Sequence, residues 1–262
     1  MMLFIVMKKV ILGATGSIGS SLAKKLIESG DQVHLVGRDE ASISSLANEL
    51  NSSYTTCDVL EENFSDKILS DLGETPVNGL AFCVGSIDLK PLKLTKRSDF
   101  MQSFNLNLIS ATEAIKALAD NLKKNKGSVV LFSTVAIKQG FPNHAIVASA
   151  KGAVEGLTIS LAAEFAPNIR VNCIAPSLTN SKISEFLLKN EKIAEGIAKM
   201  HPLKRIGNGS DSSSMAKFLL SEESSWITGQ VIGVDLGRTT IKKKKTVKII
   251  IRHYEINFCL IY

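Results

Sequence analysis

The chain has 262 residues, 45% of them hydrophobic and 21% charged, with a formal net charge of +6. That balance excludes a disordered or fibrous protein and supplies enough chain for one large α/β domain with a full core. The positive charge is unevenly placed. Lys242, Lys243, Lys244, Lys245, Lys248 and Arg252 stand against Glu255 near the C-terminal end, so the rest of the chain is close to neutral and carries no footprint for nucleic acid.

The opening stretch, MMLFIVMKK, has its positive charges after the apolar run, the reverse of a secretory signal. Residues 1–7 read as an extension or as the lead-in to a first strand. No apolar run is long enough to span a bilayer, so no membrane partner is expected. Cys57, Cys83, Cys173 and Cys259 lie far apart without metal-ligand spacing. They read as buried thiols in a reducing, cytoplasmic compartment, and no metal site is expected.

Apolar, β-prone runs follow at 8–14, 31–37, 52–59, 77–85, 127–133, 169–176 and 229–235, separated by amphipathic helical stretches. The first helix, in SIGSSLAKKLIESG, closes on Gly30. Several runs lack strict alternation, as parallel strands buried on both faces do. The alternation predicts an α/β fold over 8–240, a doubly wound, Rossmann-like parallel sheet of about seven strands with helices on both faces. Ligands of such sheets sit beyond the carboxyl ends of the strands, where the winding reverses.

The first strand runs into GATGSIGSSLAKKL, with Gly13, Gly16 and Gly19 in a strand-to-helix turn. Glycine permits the tight turn and a close approach to phosphate, and the free amides of the new helix point at a pyrophosphate. The second strand ends in LVGRDE. An acid at that tip would bind a ribose 2′-hydroxyl, whereas an arginine favours the 2′-phosphate of NADP. Arg38 stands there and favours NADP(H) over NAD(H). A solvated arginine with Asp39 facing the ribose is the other reading. In CDV, Asp58 is placed to accept from an adenine amino group.

FPNHAIVASAK, residues 141–151, reads as a helix start with Asn143 as N-cap and with His144, Val147 and Lys151 on one face. A proton donor would be expected between the histidine and the lysine, but valine neither gives nor accepts a proton.

With these residues in view, the chain from Lys8 to Gly237 resembles the short-chain dehydrogenase/reductase family. The family's glycine motif falls on GATGSIG, with Ser17 where a glycine is usual. Its turn after strand four retains only Gly85, with Cys83 nearby. Its helix-four asparagine falls on Asn107, its serine on Thr134 (Ser133 precedes it), and its Tyr-x-x-x-Lys on Val147 and Lys151. Its Pro-Gly turn becomes Pro176-Ser177, and its closing glycines leave Leu236 at one position. The resemblance implies nucleotide contacts at Gly13, Thr15, Gly16, Ser17, Ile18, Gly19, Arg38, Asp58, Val59, Gly85, Lys151, Pro176, Leu178 and Ser181. It also implies a catalytic set of Thr134, Lys151 and Asn107, acting on a small molecule with a carbonyl or hydroxyl.

In such enzymes the tyrosine moves the substrate proton, and the lysine holds the nicotinamide ribose. Three residues could stand in for the phenol. Thr134 can bond a carbonyl oxygen. Lys151 can pass a proton through water. His144 sits at the positive end of a helix dipole, which suits it better as base than as acid; bonding to nearby backbone is an equal alternative. Asn107 has a structural alternative too, bonding a helix carbonyl. The substitutions leave two readings open: an NADP(H)-dependent oxidoreductase with an unusual proton source, or a non-catalytic nucleotide-binding sensor or partner subunit.

Residues 177–207 occupy the place of the family's substrate lid, with an apolar face of Ile183, Phe186, Leu187, Ile193 and Ile197. The resemblance also implies a homodimer or homotetramer through the helices near 103–122 and 145–166. The basic, apolar stretch at 241–262 departs from the family. It reads as a non-native extension from a frame change in a lysine run; an edge strand, an acidic-membrane contact and an aggregation hazard are the other readings.

Overall fold

The seven apolar runs pair into one sheet because each is short and hydrophobic on both faces, which suits a layer covered by helices above and below. The computed structural model describes residues 7–241 and the backbone of 245–251 and 254–260. In chain order the elements are β1 (Lys8–Leu12), α1 (Ser17–Glu28), β2 (Gln32–Gly37), α2 (Glu40–Leu50), β3 (Ser53–Thr56), α3 (Phe64–Leu72), β4 (Val77–Phe82), α4 (Arg97–Phe104), a π turn (Asn105–Ile109) and α5 (Ser110–Lys124). They continue with β5 (Ser128–Phe132), α6 (Ala145–Phe165), β6 (Arg170–Pro176), α7 (Glu185–Leu188), α8 (Glu191–Met200), α9 (Gly209–Leu220) and β7 (Val231–Val234).

The strands lie in the order β3-β2-β1-β4-β5-β6-β7, every neighbouring pair parallel. The chain winds outward from β1 to β3, then crosses back to β4, so the winding reverses between β1 and β4. That is where a doubly wound sheet opens its ligand crevice.

Alternation along β1 divides the core. Val10 and Leu12 face one helical layer with Leu80, Ile115 and Leu118, while Ile11 faces the other with Leu22, Leu35 and Leu219. Each of these fully buried side chains contributes about 1.5–3 kcal/mol through removal from water.

One expectation needs correction. The 21-residue helix α6 is long and apolar enough, by length and composition, to cross a membrane. Its inward residues Ile146, Ala150, Val154 and Ala162 are buried, and it packs on β6, α4 and the π turn. A helix laid against a parallel sheet needs such an apolar face, so its composition is explained by the core.

Near the C-terminal end, β8 (Lys245–Ile251) and β9 (Tyr254–Leu260) pair antiparallel as a separate two-stranded sheet. Residues 1–6 of the 1–7 lead-in, together with Lys242, Lys243, Lys244, Arg252, His253, Ile261 and Tyr262, lie outside the described residues.

Candidate active site

The glycine turn is built by close approach. Gly13 has φ +74°, and a Cβ there would meet the Cys83 carbonyl group at 3.0 Å. A Cβ on Gly19 would overlap the Gly13 carbonyl oxygen. Gly16 is the N-cap of α1, and Thr15 and Gly16 are exposed at the tip. Helix α1 begins at Ser17, so the amides of Ser17, Ile18 and Gly19 have no intrahelical acceptor and form an anion-receiving end. Two later segments brace this turn. Ser17 Oγ donates to the Asn180 carbonyl at 3.0 Å, and Gly209 of α9 lies so close to the Ser17 carbonyl that no Cβ fits between them.

At the β2 tip Arg38 is exposed. Asp39 is the N-cap of α2, its Oδ1 accepting from the Ser42 amide at 2.9 Å. Hydrogen bonding from Ser42 holds the Asp39 carboxyl below its ordinary range. Beyond β3, Asp58 Oδ1 accepts from the Leu60 amide at 3.0 Å, and Val59 is buried.

A cavity of about 360 Å³ opens beyond the ends of β4, β5 and β6. Of the residues singled out from the sequence, Ile18, Gly85, Thr134, His144, Val147 and Lys151 line it, as do Pro176, Leu178 and Ser181. The expected helix face is therefore real: His144, Val147 and Lys151 all reach the same space. Arg38, Asp58, Val59 and the glycines of the first turn lie outside this cavity, and so does Asn107.

Asn107 sits in the π turn and is buried. Its Nδ2 donates to the Ser103 carbonyl at 2.8 Å, while its Oδ1 is buried without a partner. Such one-turn insertions redirect side chains, and they recur at functional sites. Lys151 is only 7% exposed. Burial lowers its amine from 10.5 to about 8, with Cys173 and Cys83 opposing. Burial pushes both of those thiols up to about 12.

After β5 the two hydroxyls differ. Ser133 Oγ donates to Glu155 Oε1 at 2.7 Å, a contact with α6. Thr134 Oγ1 accepts from the Ala136 amide at 3.3 Å, which leaves its own proton free to donate. His144 Nδ1 lies 2.7 Å from the Pro142 carbonyl, which can only accept, so that nitrogen carries the proton. This is the backbone-bonded alternative for His144. The N-cap expectation for Asn143 is corrected: His144 is the N-cap, with no side-chain bond, and Asn143 lies outside the helix at φ +67°.

The segment expected to form the lid carries α7 and α8. Ile183, Leu187 and Ile197 line the cavity as expected, while Ile193 is exposed and Phe186 borders a second recess. Two features escaped the sequence reading. His201 is buried, its Nδ1 donating to the Ile197 carbonyl at 2.9 Å and its Nε2 accepting from Ser177 Oγ at 2.7 Å. Arg238 stacks over Phe141 with Cζ 5.2 Å from the ring centroid. The substitution at Ser177 was visible, but its partner lies 24 residues away, and neither contact has a local signature.

A crevice at the winding reversal, a phosphate-type turn and a buried lysine that shares a cavity with a hydroxyl are features of pyridine-nucleotide oxidoreductases of the doubly wound class. A family model described as enoyl-(acyl carrier protein) reductase matches residues 13–239. A tropinone reductase homolog of Arabidopsis thaliana is 31% identical over 240 residues, covering 88% of this chain and 91% of its own. The 3-oxoacyl-(acyl-carrier-protein) reductase FabG of Rickettsia felis is 31% identical over 236 residues, covering 87% and 95%. Among solved structures, ElxO with NADP bound matches with a TM-score of 0.81 and 26% identity, covering 90% of this chain and 99% of that one. The chain belongs to the short-chain dehydrogenase/reductase family and is an NAD(P)-dependent oxidoreductase.

Proposed function

We propose that this protein is an NADP(H)-dependent oxidoreductase that interconverts a carbonyl compound and its secondary alcohol, with Val147 where the family carries its tyrosine. The observation that carries this reading is the buried Lys151, lowered to about 8, sharing one cavity with Thr134 and Val147. At that value the ammonium is acidic enough to release a proton near neutral pH.

The residues fit a pyridine nucleotide. Gly85 leaves a cradle beside Lys151 Nζ that a Cβ would fill, and the Asn107 Oδ1 next to it is an unpartnered acceptor. The turn from Gly13 to Gly19 would take the diphosphate, with Asp58 and Val59 beside the adenine. Lys151 would take the ribose, and Pro176, Leu178 and Ser181 the nicotinamide side. Arg38 would meet a 2′-phosphate, because Asp39 beside it is already tied to α2. When bound, the nucleotide supplies or accepts the hydride.

The chain's own residues then do the rest. Thr134 donates to the substrate oxygen, and Lys151 passes the proton through a water. His144 shapes the entrance and keeps Nε2 as a lone-pair acceptor. Orientation of the reactants remains effective without the phenol. Loss of a positioned acid costs on the order of 10²–10⁴ in rate. Exposed apolar residues Met101, Ile109 and Ile159 support self-association through α4, the π turn and α6.

Fluorescence titration with NADPH and NADH, followed by a carbonyl panel, tests the proposal. Tighter binding of NADPH and slow NADPH oxidation lost in Lys151→Ala are expected. Binding with no turnover above that variant would leave the non-catalytic reading, and no binding of either nucleotide would defeat both.

A further inference from the structure

The cavity lining carries cations and no carboxylate: among the described residues it includes Arg238 as well as Lys151, and no aspartate or glutamate. Much of the remaining lid is hydrocarbon, from Ile183, Leu187, Ile197 and Met200.

Arg238 is fixed by the turn after β7. Asp235 accepts from the amides of Gly237 and Thr239, both at 2.9 Å, and from Thr239 Oγ1 at 2.5 Å. Burial raises the Asp235 carboxyl, but those bonds outweigh it and hold it below its ordinary range. The carboxylate is thus committed to its own turn. The guanidinium of Arg238 stacks on Phe141, and its Nε donates to Gln139 Oε1 at 3.1 Å. Its Nη1 is buried with no partner. Burial also disfavours the charge, with Asp235 compensating in part.

A guanidinium that lines the cavity and is stacked on a ring, with one donor used and another unpartnered, can receive an oxyanion. The cofactor's diphosphate is received elsewhere, at the α1 N-terminus. Arg238 instead rests on Gln139 and Phe141, in the segment that carries His144 to the cavity. We infer that the substrate is an amphipathic carbonyl compound bearing a carboxylate, and that Arg238 selects it while the apolar lid covers its hydrocarbon part. This rests on the carbonyl-reducing reading of the cavity.

The test is calorimetric titration into protein saturated with NADP⁺, where no reduction can occur. The probes are 2-oxooctanoate, 4-oxooctanoate and the methyl ester of each. At least one acid is expected to bind ~10- to 100-fold more tightly than its ester, the range of a charged hydrogen bond. In Arg238→Gln that gap closes while NADP⁺ affinity is unchanged. Arg238→Lys keeps the charge without the fork and is expected to lose most of the gap, which guards against a folding failure of the glutamine variant. Acids and esters binding alike, neither binding, or a gap that survives both substitutions would overturn the inference while the cofactor reading stands. Failure of NADP⁺ itself to bind would overturn both.

Discussion

Asn107 Oδ1 and Lys151 Nζ converge on the open face of Gly85, where a Cβ would meet them at 3.0 and 3.1 Å. An amide oxygen without a partner and a buried amine thus share one small space that glycine keeps clear. Gly85→Ala should displace the lysine tip, whose flexible end can move without unfolding the chain. NADPH affinity is expected to fall ~10-fold, the worth of a charged hydrogen bond, with little change in melting temperature. Affinity within twofold of wild type would show that the space is not used by the nucleotide.

Val147 is 5% exposed and borders the cavity one turn before Lys151. A phenol placed there would stand beside an ammonium, which favours its ionised form and makes it an effective proton carrier. Val147→Tyr is expected to raise the reductase turnover number by ~10²-fold or more, the usual worth of a positioned acid, without altering NADPH affinity. An unchanged rate with NADPH bound would mean that the cavity is not assembled for this chemistry.

On the proposed route, proton delivery uses a charged Lys151, so the reduction rate should be flat below about pH 8 and fall as pH rises through it. Above that point the loss approaches tenfold per pH unit, because only the ammonium form contributes. Rates measured from pH 6 to 10 with saturating NADPH check this, and a flat profile would remove Lys151 as the source.

A second buried titratable group governs stability. Lys8 Nζ donates to Ser53 Oγ, which lies 2.8 Å from His34 Nδ1; His34 Nε2 lies 2.9 Å from Thr55 Oγ1, which donates to Asp71. Thr55 gives its proton to the carboxylate, so Nε2–H donates to Thr55 and Nδ1 accepts from Ser53. The chain therefore requires a neutral imidazole. Burial first, then Lys8, lowers His34 from 6.5 to about 4, with Asp71 opposing. Because the unfolded state takes up the proton first, stability is lost as pH falls from 6.5 towards 4, by about 3 kcal/mol in full. Urea unfolding at pH 7, 5.5 and 4.5 should show this slope, and His34→Gln should flatten it.

Leu236 has φ +57°, in the left-handed region, just before Gly237 at +80°. A leucine there costs on the order of 1–2 kcal/mol, partly offset by the ~0.5–1 kcal/mol that glycine loses in chain entropy. Leu236→Gly is expected to stabilise the protein by up to about 1 kcal/mol in urea. A destabilisation beyond that size would mean that packing of the leucine side chain outweighs its backbone.

Where local pattern decides structure, the sequence was readable. The seven strands lie inside the seven apolar runs, Gly13 to Gly19 form the expected turn, and the spacing of His144, Val147 and Lys151 brought all three to one cavity. What escaped depends on residues distant in sequence or on backbone detail. The π turn at Asn107 has no compositional mark, and the partners of Ser177 and Arg238 are set by how the lid and the last turn fold back. Asn143 has an N-cap's side chain, but its left-handed backbone places it one residue too early. The apolar length of α6 was underestimated because Lys151, Glu155 and scattered small and hydroxyl residues interrupt its run, although Ile146, Val147, Val154, Leu157, Ile159 and Leu161 carry its hydropathy.

The contact of Gly209 with Ser17 carries a consequence for synthesis. The anion-receiving turn is among the first parts of the chain to leave the ribosome, yet the surface that braces it arrives almost two hundred residues later, with α9. A nascent chain stopped before α9 would display the glycine pattern without its support. If the turn holds the dinucleotide as proposed, that competence is expected to emerge late in translation, as one of the last acts of assembly.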